Sequence, residues 1–198
     1  MELLPGLYCG ERGGPVNFYY DGDEPEGQAL SWFKRQLRAI GTLWDAALPE
    51  AVVAIYSGID AFGLLAAKLA VLDADRTTFK AWSEKYILPR LQTVEGTAIT
   101  ADDLYGARCG VLHTSTPLSS SERKGNACQL FYEFKGKTGI NMILDTQQKP
   151  LRIDIEKLAM AFKEGGLAFL TDLQSDPPSQ KLAGDRAQHF LRWVTVVP

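Results

Sequence analysis

Residues 100–117 read T-A-D-D-L-Y-G-A-R-C-G-V-L-H-T-S-T-P, and they predict one helix with both of its ends marked. Thr100 and Asp103 have the spacing of a capping box, in which side chains bind the backbone N–H groups left open at a helix start. Pro117 ends the pattern because proline has no N–H to donate. The apolar stripe consists of Leu104, Ala107, Val111 and Leu112. The stretch therefore predicts an amphipathic helix with one side against a core.

The rest of the chain predicts further helices around this one. Apolar residues recur at steps of three and four from Leu30 to Ala47, and this helix stops before Pro49. The stretch from Ala51 to about Leu72 is apolar on nearly every side, which is typical of a central helix. Three more helices are expected: one capped by Thr77 or Thr78 and reaching Pro89, one capped by Asp154, and one after Pro177 and Pro178.

Length and composition set the fold class. A chain of 198 residues, 45% of them hydrophobic, is long enough for one well-packed domain, to which we assign residues 1–198. Residues 1–28 are expected to form an irregular arm, residues 128–145 a β-hairpin and residues 154–195 the C-terminal helices. Because the pattern has no internal repeat and no β-α-β alternation, it predicts an all-α helical bundle with a small β-hairpin insertion.

Charge and cysteine content limit the cellular setting. Cys9, Cys109 and Cys128 are an odd set without C-x-x-C spacing, which argues against a disulfide framework or a zinc site and fits a reducing cytoplasm. No secretion signal and no run of about 20 unbroken apolar residues is visible, so no membrane partner is expected. With a net charge of −3, any contact with RNA requires a local basic patch.

Asp60 is the most informative single carboxylate. It lies within the central apolar helix, where an unpaired charge would lose several kcal/mol of hydration. Arg108 is the only arginine or lysine on the helix of residues 100–117, and it borders that helix's apolar stripe. We therefore expect Asp60 and Arg108 to meet where the two helices pack. Either the pair is purely structural, or Asp60 orients an arginine that is directed at a phosphate.

His113 lies five residues after Arg108, near the C-terminal end of the same helix. The helix dipole favours a protonated imidazole there, which suits a general acid near neutral pH. A histidine that only caps the last carbonyls is the alternative. Five residues correspond to about 140° of rotation, so Arg108 and His113 do not share a face of a straight helix. They converge only if the helix unwinds before His113 or if two copies face each other across a dimer axis.

Polar residues near these two complete the candidate site. Ser57 lies three residues before Asp60 on one helix face, and Thr114 follows His113 as a potential phosphate donor. Ordinary polar surface and an ordinary helix exit are the alternatives. The candidate basic patch for RNA consists of Arg123 and Lys124, together with Lys135 and Lys137, although a solvated surface explains these residues equally well.

Three stretches in this order resemble the HEPN superfamily, the higher eukaryote and prokaryote nucleotide-binding domains. They are Y-S-G-I-D-A-F-G (56–63), F-K-A-W-S-E-K-Y (79–86) and D-L-Y-G-A-R-C-G-V-L-H-T (103–114), and they cover the middle third of the chain. The family consists of helical bundles marked by an arginine followed four to six residues later by a histidine. The resemblance implies a HEPN-like bundle in which Arg108 and His113 carry the activity.

The resemblance further implies a metal-independent endoribonuclease that cleaves single-stranded RNA and acts in toxin or antiviral defence systems. It implies no metal or other cofactor, and a homodimer with the Arg108 and His113 motif at its interface. An antitoxin or another regulator is an expected further partner. The alternative functions are a non-catalytic module that binds a nucleotide or a protein, and a structural dimer in which Arg108 and Asp60 only support packing.

Overall fold

The computed structural model describes residues 25–46, 48–68, 70–114, 119–134, 137–138 and 150–190. The helices are α1 (Pro25–Ala46), α2 (Leu48–Ala66), α3 (Arg76–Trp82), α4 (Ala101–Thr114), α5 (Ser120–Arg123), α6 (Ile155–Gln174) and α7 (Pro177–Phe190). The strands are β1 (Leu130–Phe134), β2 (Lys137–Thr138) and β3 (Leu151–Asp154). The mainly helical class that the sequence predicts is confirmed, with a small sheet on one side of the bundle.

Helix α2 is the centre of the bundle, as its composition predicts, because α1, α3, α4, α6 and α7 all contact it. Phe62 lies at the middle of this packing and is fully buried. Its ring contacts five other aromatic rings, with centroid distances from 5.0 to 5.9 Å: those of Trp32, Phe33, Trp82, Phe162 and Phe169. Each such pair adds roughly 0.5–1.5 kcal/mol beyond the area it buries, so this cluster fixes how three other helices, α1, α3 and α6, pack on α2.

The ends of α2 differ from those the sequence predicts, Ala51 and about Leu72. The helix begins at Leu48, because Pro49 is tolerated in a first turn where its missing N–H has no helical partner. It ends at Ala66, where Arg186 of α7 takes over the open carbonyls. The guanidinium of this buried arginine donates to the carbonyl oxygens of residues 64, 67, 68 and 71 at 2.5–2.8 Å. A distant side chain therefore sets the C-terminus of the central helix.

An 18-residue window of α2, Pro49–Ala66, is long and apolar enough to cross a membrane by length and composition alone. It includes Glu50 and Asp60, which is why the sequence shows no unbroken apolar run there. In the fold, 56% of this window is buried inside the protein. A central helix of a bundle needs the same apolar composition.

Helix α3 begins two or three residues earlier than a cap at Thr77 or Thr78 would place it. Asp75 is the N-cap: its carboxylate accepts the N–H of Thr78 at 2.8 Å, and the Thr78 hydroxyl accepts the N–H of Asp75 at 2.9 Å. The expectation of a threonine cap was therefore wrong, since Thr78 is the third residue of the helix and completes a capping box. The chain continues through a π-helical turn, Ser83–Ile87, and a 3-10 turn, Leu88–Arg90, close to the expected stop at Pro89.

The sheet has the order β2-β1-β3 and differs from the expected hairpin. β1 and β2 are antiparallel and are joined by two residues, so a hairpin is present, but its return strand comes earlier than Ile140–Leu144. The stretch from Ile140 to Leu144 lies outside the described residues. β3 pairs parallel to β1, with Leu130 opposite Leu151 and Glu133 opposite Asp154, and the sequence pattern did not predict this strand.

The remaining boundaries follow from local capping. Asp154 caps α6 as predicted, accepting the N–H groups of residues 156 and 157. Helix α1 begins at Pro25, so residues 25–28 belong to it and not to the expected irregular arm, whose other residues lie outside the described part. Helix α7 begins at Pro177, because two prolines fit the first turn of a helix.

Candidate functional site

Asp60 and Arg108 form the ion pair that the sequence predicts. Arg108 Nε and Nη2 lie 2.8 Å and 2.7 Å from the same carboxylate oxygen, Asp60 Oδ2. The side chains are only 13% and 16% exposed, so the pair lies in a crevice between α2 and α4. Burial lowers the pKa of Arg108, but the hydrogen bond and the charge of Asp60 raise this pKa by more, so the guanidinium stays charged. The pair fixes one positive charge at a defined place on the α2–α4 surface.

The α4 N-terminus that positions Arg108 is capped as expected. The Asp103 carboxylate accepts the N–H of Thr100 at 2.9 Å and its hydroxyl at 2.6 Å, and the Thr100 hydroxyl accepts the Asp103 N–H at 3.2 Å. The second oxygen of Asp103 accepts the N–H of Cys128 at 2.6 Å. This buried aspartate therefore ties the start of α4 to the segment that leads into β1.

Tyr105, one turn before Arg108, is partly exposed and lies between charged and apolar neighbours. Its ring meets Phe79 edge to face at 5.6 Å, which holds it against α3. The guanidinium carbons of Arg108 and Arg76 lie 5.8 and 5.6 Å from its centroid, within the range of cation–π attraction. Burial raises the pKa of Tyr105, so its hydroxyl is protonated at neutral pH. The ring belongs to the site surface and not only to the core.

Two more cations lie on the same side of the bundle. Arg76 Nη2 and Lys80 Nζ contact the two carboxylate oxygens of Asp102 at 2.5 and 2.8 Å. Hydrogen bonds from Lys80 and Arg76 lower the pKa of Asp102. The side chain of Arg76 is 53% exposed and that of Lys80 is 27% exposed. We call Arg76, Lys80, Asp102, Tyr105 and Arg108 together the α3–α4 patch.

Arg76, Lys80 and Asp102 are not among the site residues predicted from the sequence. A signal was present: Arg76 and Lys80 are four residues apart, which places them on one helix face. Their link to Asp102 depends on how α3 packs on α4, and the sequence pattern does not give that packing.

Helix α4 is continuous from Ala101 to Thr114, so Arg108 and His113 do not meet through an unwinding of the helix, which was one of the two expected ways. No unwinding precedes position 113, so the two positions remain about 140° apart around the helix. Position 113 comes seven residues after Gly106 and therefore lies on the same helical stripe as that glycine. Within one chain, Arg108 and His113 are on different sides of α4.

The short helix α5 packs against the side of α4 that carries Gly106. A Cβ atom at Gly106 would lie 3.0 Å from Ala127 Cβ and 3.5 Å from Glu122 Cγ, so only glycine allows this approach without a shift. Arg123 and Lys124, at the end of α5, are exposed. Because Gly106 and Arg108 are about 160° apart on the helix, these two cations do not join the α3–α4 patch.

Ser57 lies near the ion pair, and the other predicted polar and basic residues that the structure describes lie on other elements. Ser57 is exposed on α2, one turn before Asp60, on the side of the bundle that carries the ion pair. Thr114 is the last residue of α4. Lys137 lies in β2, and Lys135 is outside the described residues. The structure thus brings Asp60, Arg108 and Ser57 to one surface.

A second polar group is buried behind α4. The hydroxyl oxygens of Tyr56 and Tyr132 are 2.6 Å apart, and burial raises the pKa of both phenols. Glu122 is fully buried nearby and accepts the backbone N–H of Ser119 in the capping box of α5. Burial raises the pKa of Glu122, the hydrogen bonds from Ser119 lower it, and the charge of Asp103 raises it, for a net increase.

Comparisons with protein-family models, with curated proteins and with solved structures find no match to this chain.

Proposed function

We propose that the chain is a metal-independent endoribonuclease with a HEPN-like bundle, which cleaves single-stranded RNA as a homodimer. The observation that supports this best is the Asp60–Arg108 pair, because a buried carboxylate fixes an arginine on the helix that also carries His113. A guanidinium held in one orientation stabilises charge at a phosphate without having to reorganise during the reaction. A toxin or defence role in the cytoplasm, under the control of an antitoxin or another regulator, belongs to the same proposal.

The reaction follows from the groups available. The ribose 2′-oxygen attacks the adjacent phosphorus, and the bond from phosphorus to the 5′-oxygen breaks. One proton leaves the 2′-hydroxyl and one is delivered to the 5′-oxygen, so the products are a 2′,3′-cyclic phosphate and a 5′-hydroxyl. His113 exchanges the proton as acid or base, and Arg108 stabilises the negative charge on the phosphorane-like transition state.

Two protomers are needed for this chemistry because positions 108 and 113 diverge on a continuous helix. In a twofold-symmetric dimer, the side of α4 that carries Arg108 faces the last turn of α4, which carries His113, in the other copy. This last turn lies two turns beyond Gly106, against which α5 packs. Each such site then contains an arginine from one protomer and a histidine from the other. The symmetry produces two equivalent sites.

The test is cleavage of a single-stranded RNA by purified protein in EDTA, with analysis of the product ends. Cyclic-phosphate and 5′-hydroxyl ends are expected from the wild type, and both Arg108→Ala and His113→Ala should lose activity by a factor of about 100 or more. Arg152→Ala is the matched control: Arg152 also bridges carboxylates, those of Glu95 and Glu133, but it lies on β3, outside the proposed site. RNA left intact by pure wild-type dimer rules out the nuclease.

A non-catalytic module that binds a nucleotide or a protein is the second candidate. The observation in its favour is that a single chain does not bring Arg108 and His113 together. This candidate predicts that a nucleotide or RNA raises the melting temperature of the wild type but not of Arg108→Ala, and that no RNA is turned over. If both the monomer and the dimer bind RNA or a nucleotide and neither cleaves RNA, the non-catalytic module is the correct function.

A further inference from the structure

The α3–α4 patch combines the two features that recognise single strands of nucleic acid. It has three cations, Arg76, Lys80 and Arg108. With Asp102 and the Asp60 carboxylate that pairs with Arg108, the local charge is +1 on a chain whose net charge is −3. It also has a partly exposed aromatic ring, with two guanidinium groups near it. Phosphates bind cations, and unpaired bases stack on aromatic rings or on guanidinium planes.

The geometry orders these groups in a row. Tyr105 and Arg108 are three residues apart on α4 and therefore neighbour each other on one face. Asp102 is three residues before Tyr105, and from it the row continues through Lys80 and Arg76 of α3. The row thus leads from Arg108, whose side chain is 16% exposed, outward to Arg76, which is half exposed.

The half-exposed ion pairs of the row are not what holds α3 against α4. Surface pairs of this kind add little to stability, whereas the edge-to-face contact of Phe79 with Tyr105 joins the two helices directly. Asp102 holds both cations in place, and its two oxygens occupy positions that phosphate oxygens can take.

We propose that the α3–α4 patch is the substrate channel of the enzyme, in which a single RNA strand leaves Arg108 along α3. Tyr105 and Arg76 support a base by stacking, and Lys80 and Arg76 bind a phosphate in place of Asp102. This assignment rests on the proposed ribonuclease function. It differs from the basic patch expected from the sequence, because Arg123 and Lys124 lie on the other side of α4.

The experiment measures binding separately from cleavage. A fluorescent 2′-O-methyl oligouridylate, which has no free 2′-hydroxyl and is not cleaved, is titrated against the full chain and followed by anisotropy at several salt concentrations. Tyr105→Leu, which keeps an apolar contact with Phe79, is expected to weaken binding about ten-fold with an unchanged salt dependence. Arg76→Gln and Lys80→Gln are each expected to weaken binding and to reduce the salt slope by about 0.7.

Asp102→Asn should strengthen binding of the oligonucleotide, whereas the other substitutions weaken it. This test therefore does not depend on a loss of function. It frees Arg76 and Lys80 from their carboxylate, so the oligonucleotide should bind several-fold more tightly and with a steeper salt dependence. Binding of a heparin fragment, which offers charge without bases, should respond to Arg76→Gln but not to Tyr105→Leu. Arg152→Ala is again the control that should change nothing, because it lies on the sheet.

Wild-type affinity in both Tyr105→Leu and Asp102→Asn overturns the channel assignment. If RNA is cleaved while these variants bind normally, only the channel fails and the nuclease stands. If the oligonucleotide binds as expected while RNA stays intact, the nuclease fails and the patch remains a single-strand binding surface.

Discussion

Removal of Asp60 should destabilise the protein because it leaves Arg108 charged in a crevice. Both side chains are more than four-fifths buried, and two guanidinium nitrogens share one carboxylate oxygen at 2.7 and 2.8 Å. Loss of one partner of a buried pair typically lowers the free energy of unfolding by 3–5 kcal/mol, and the residual exposure here places Asp60→Ala at about 3 kcal/mol. Arg108→Ala should lower it by a similar amount.

A double-mutant cycle isolates the interaction itself. Urea unfolding of wild type, Asp60→Ala, Arg108→Ala and the double variant, followed by far-UV circular dichroism, should give a coupling free energy of about 2 kcal/mol. High salt should change this value little, because the pair is shielded from solvent. The corresponding cycle for the exposed Arg76 and Asp102 should give a much smaller coupling that salt abolishes. Additive effects of Asp60→Ala and Arg108→Ala would refute the claim that Asp60 holds the arginine.

Substitutions at three further positions test the fold behind the site. Arg186→Met removes the guanidinium that binds four carbonyl oxygens at and just after the end of α2, and it should lower the free energy of unfolding by about 3 kcal/mol in urea, whereas Arg186→Lys should restore part of the loss. Gly165→Ala puts a Cβ atom 2.6 Å from the Tyr86 carbonyl oxygen and should cost about 2 kcal/mol by thermal unfolding, since backbone must move. The folded protein keeps the Glu122 proton above the pH at which the unfolded chain loses it. This contribution to stability is therefore lost as pH rises from about 4.5 through the raised pKa, and Glu122→Gln should flatten the pH profile. If Arg186→Met or Gly165→Ala leaves the stability unchanged, the contact described for that residue is contradicted. If Glu122→Gln leaves the pH profile of stability unchanged, the raised pKa of Glu122 is contradicted.

The central ion pair could be predicted from sequence because it follows from a local conflict. Asp60 in an apolar helix needs a cation, and Arg108 is the lone arginine or lysine on the neighbouring helix. The capping box of α4 and the N-cap of α6 are also local, since they depend on residues two or three positions apart. The predicted N-cap of α3 was wrong because three residues within four positions, Asp75, Thr77 and Thr78, have side chains that favour the N-cap, and the sequence does not choose among them.

The features that sequence reasoning missed depend on distant parts of the chain. β3 has only four residues, and its parallel partner β1 ends 17 residues earlier, so no local pattern marks it. The link from Arg76 and Lys80 to Asp102 forms between two helices, and the carbonyls that bind Arg186 come from a segment more than 100 residues away. The angle between Arg108 and His113 around α4 depends on whether the helix is continuous up to His113, and the sequence alone did not decide this.

Mixing two inactive variants tests the central claim most directly. In a dimer of Arg108→Ala with His113→Ala, one site contains the intact arginine of one chain and the intact histidine of the other. Random reassortment makes about half of the dimers mixed, each with one of two sites intact, so RNA cleavage should return to about a quarter of the wild-type rate. Each variant alone should remain folded, dimeric and inactive. If the mixed dimers form and cleave no RNA, Arg108 and His113 do not act together across the interface.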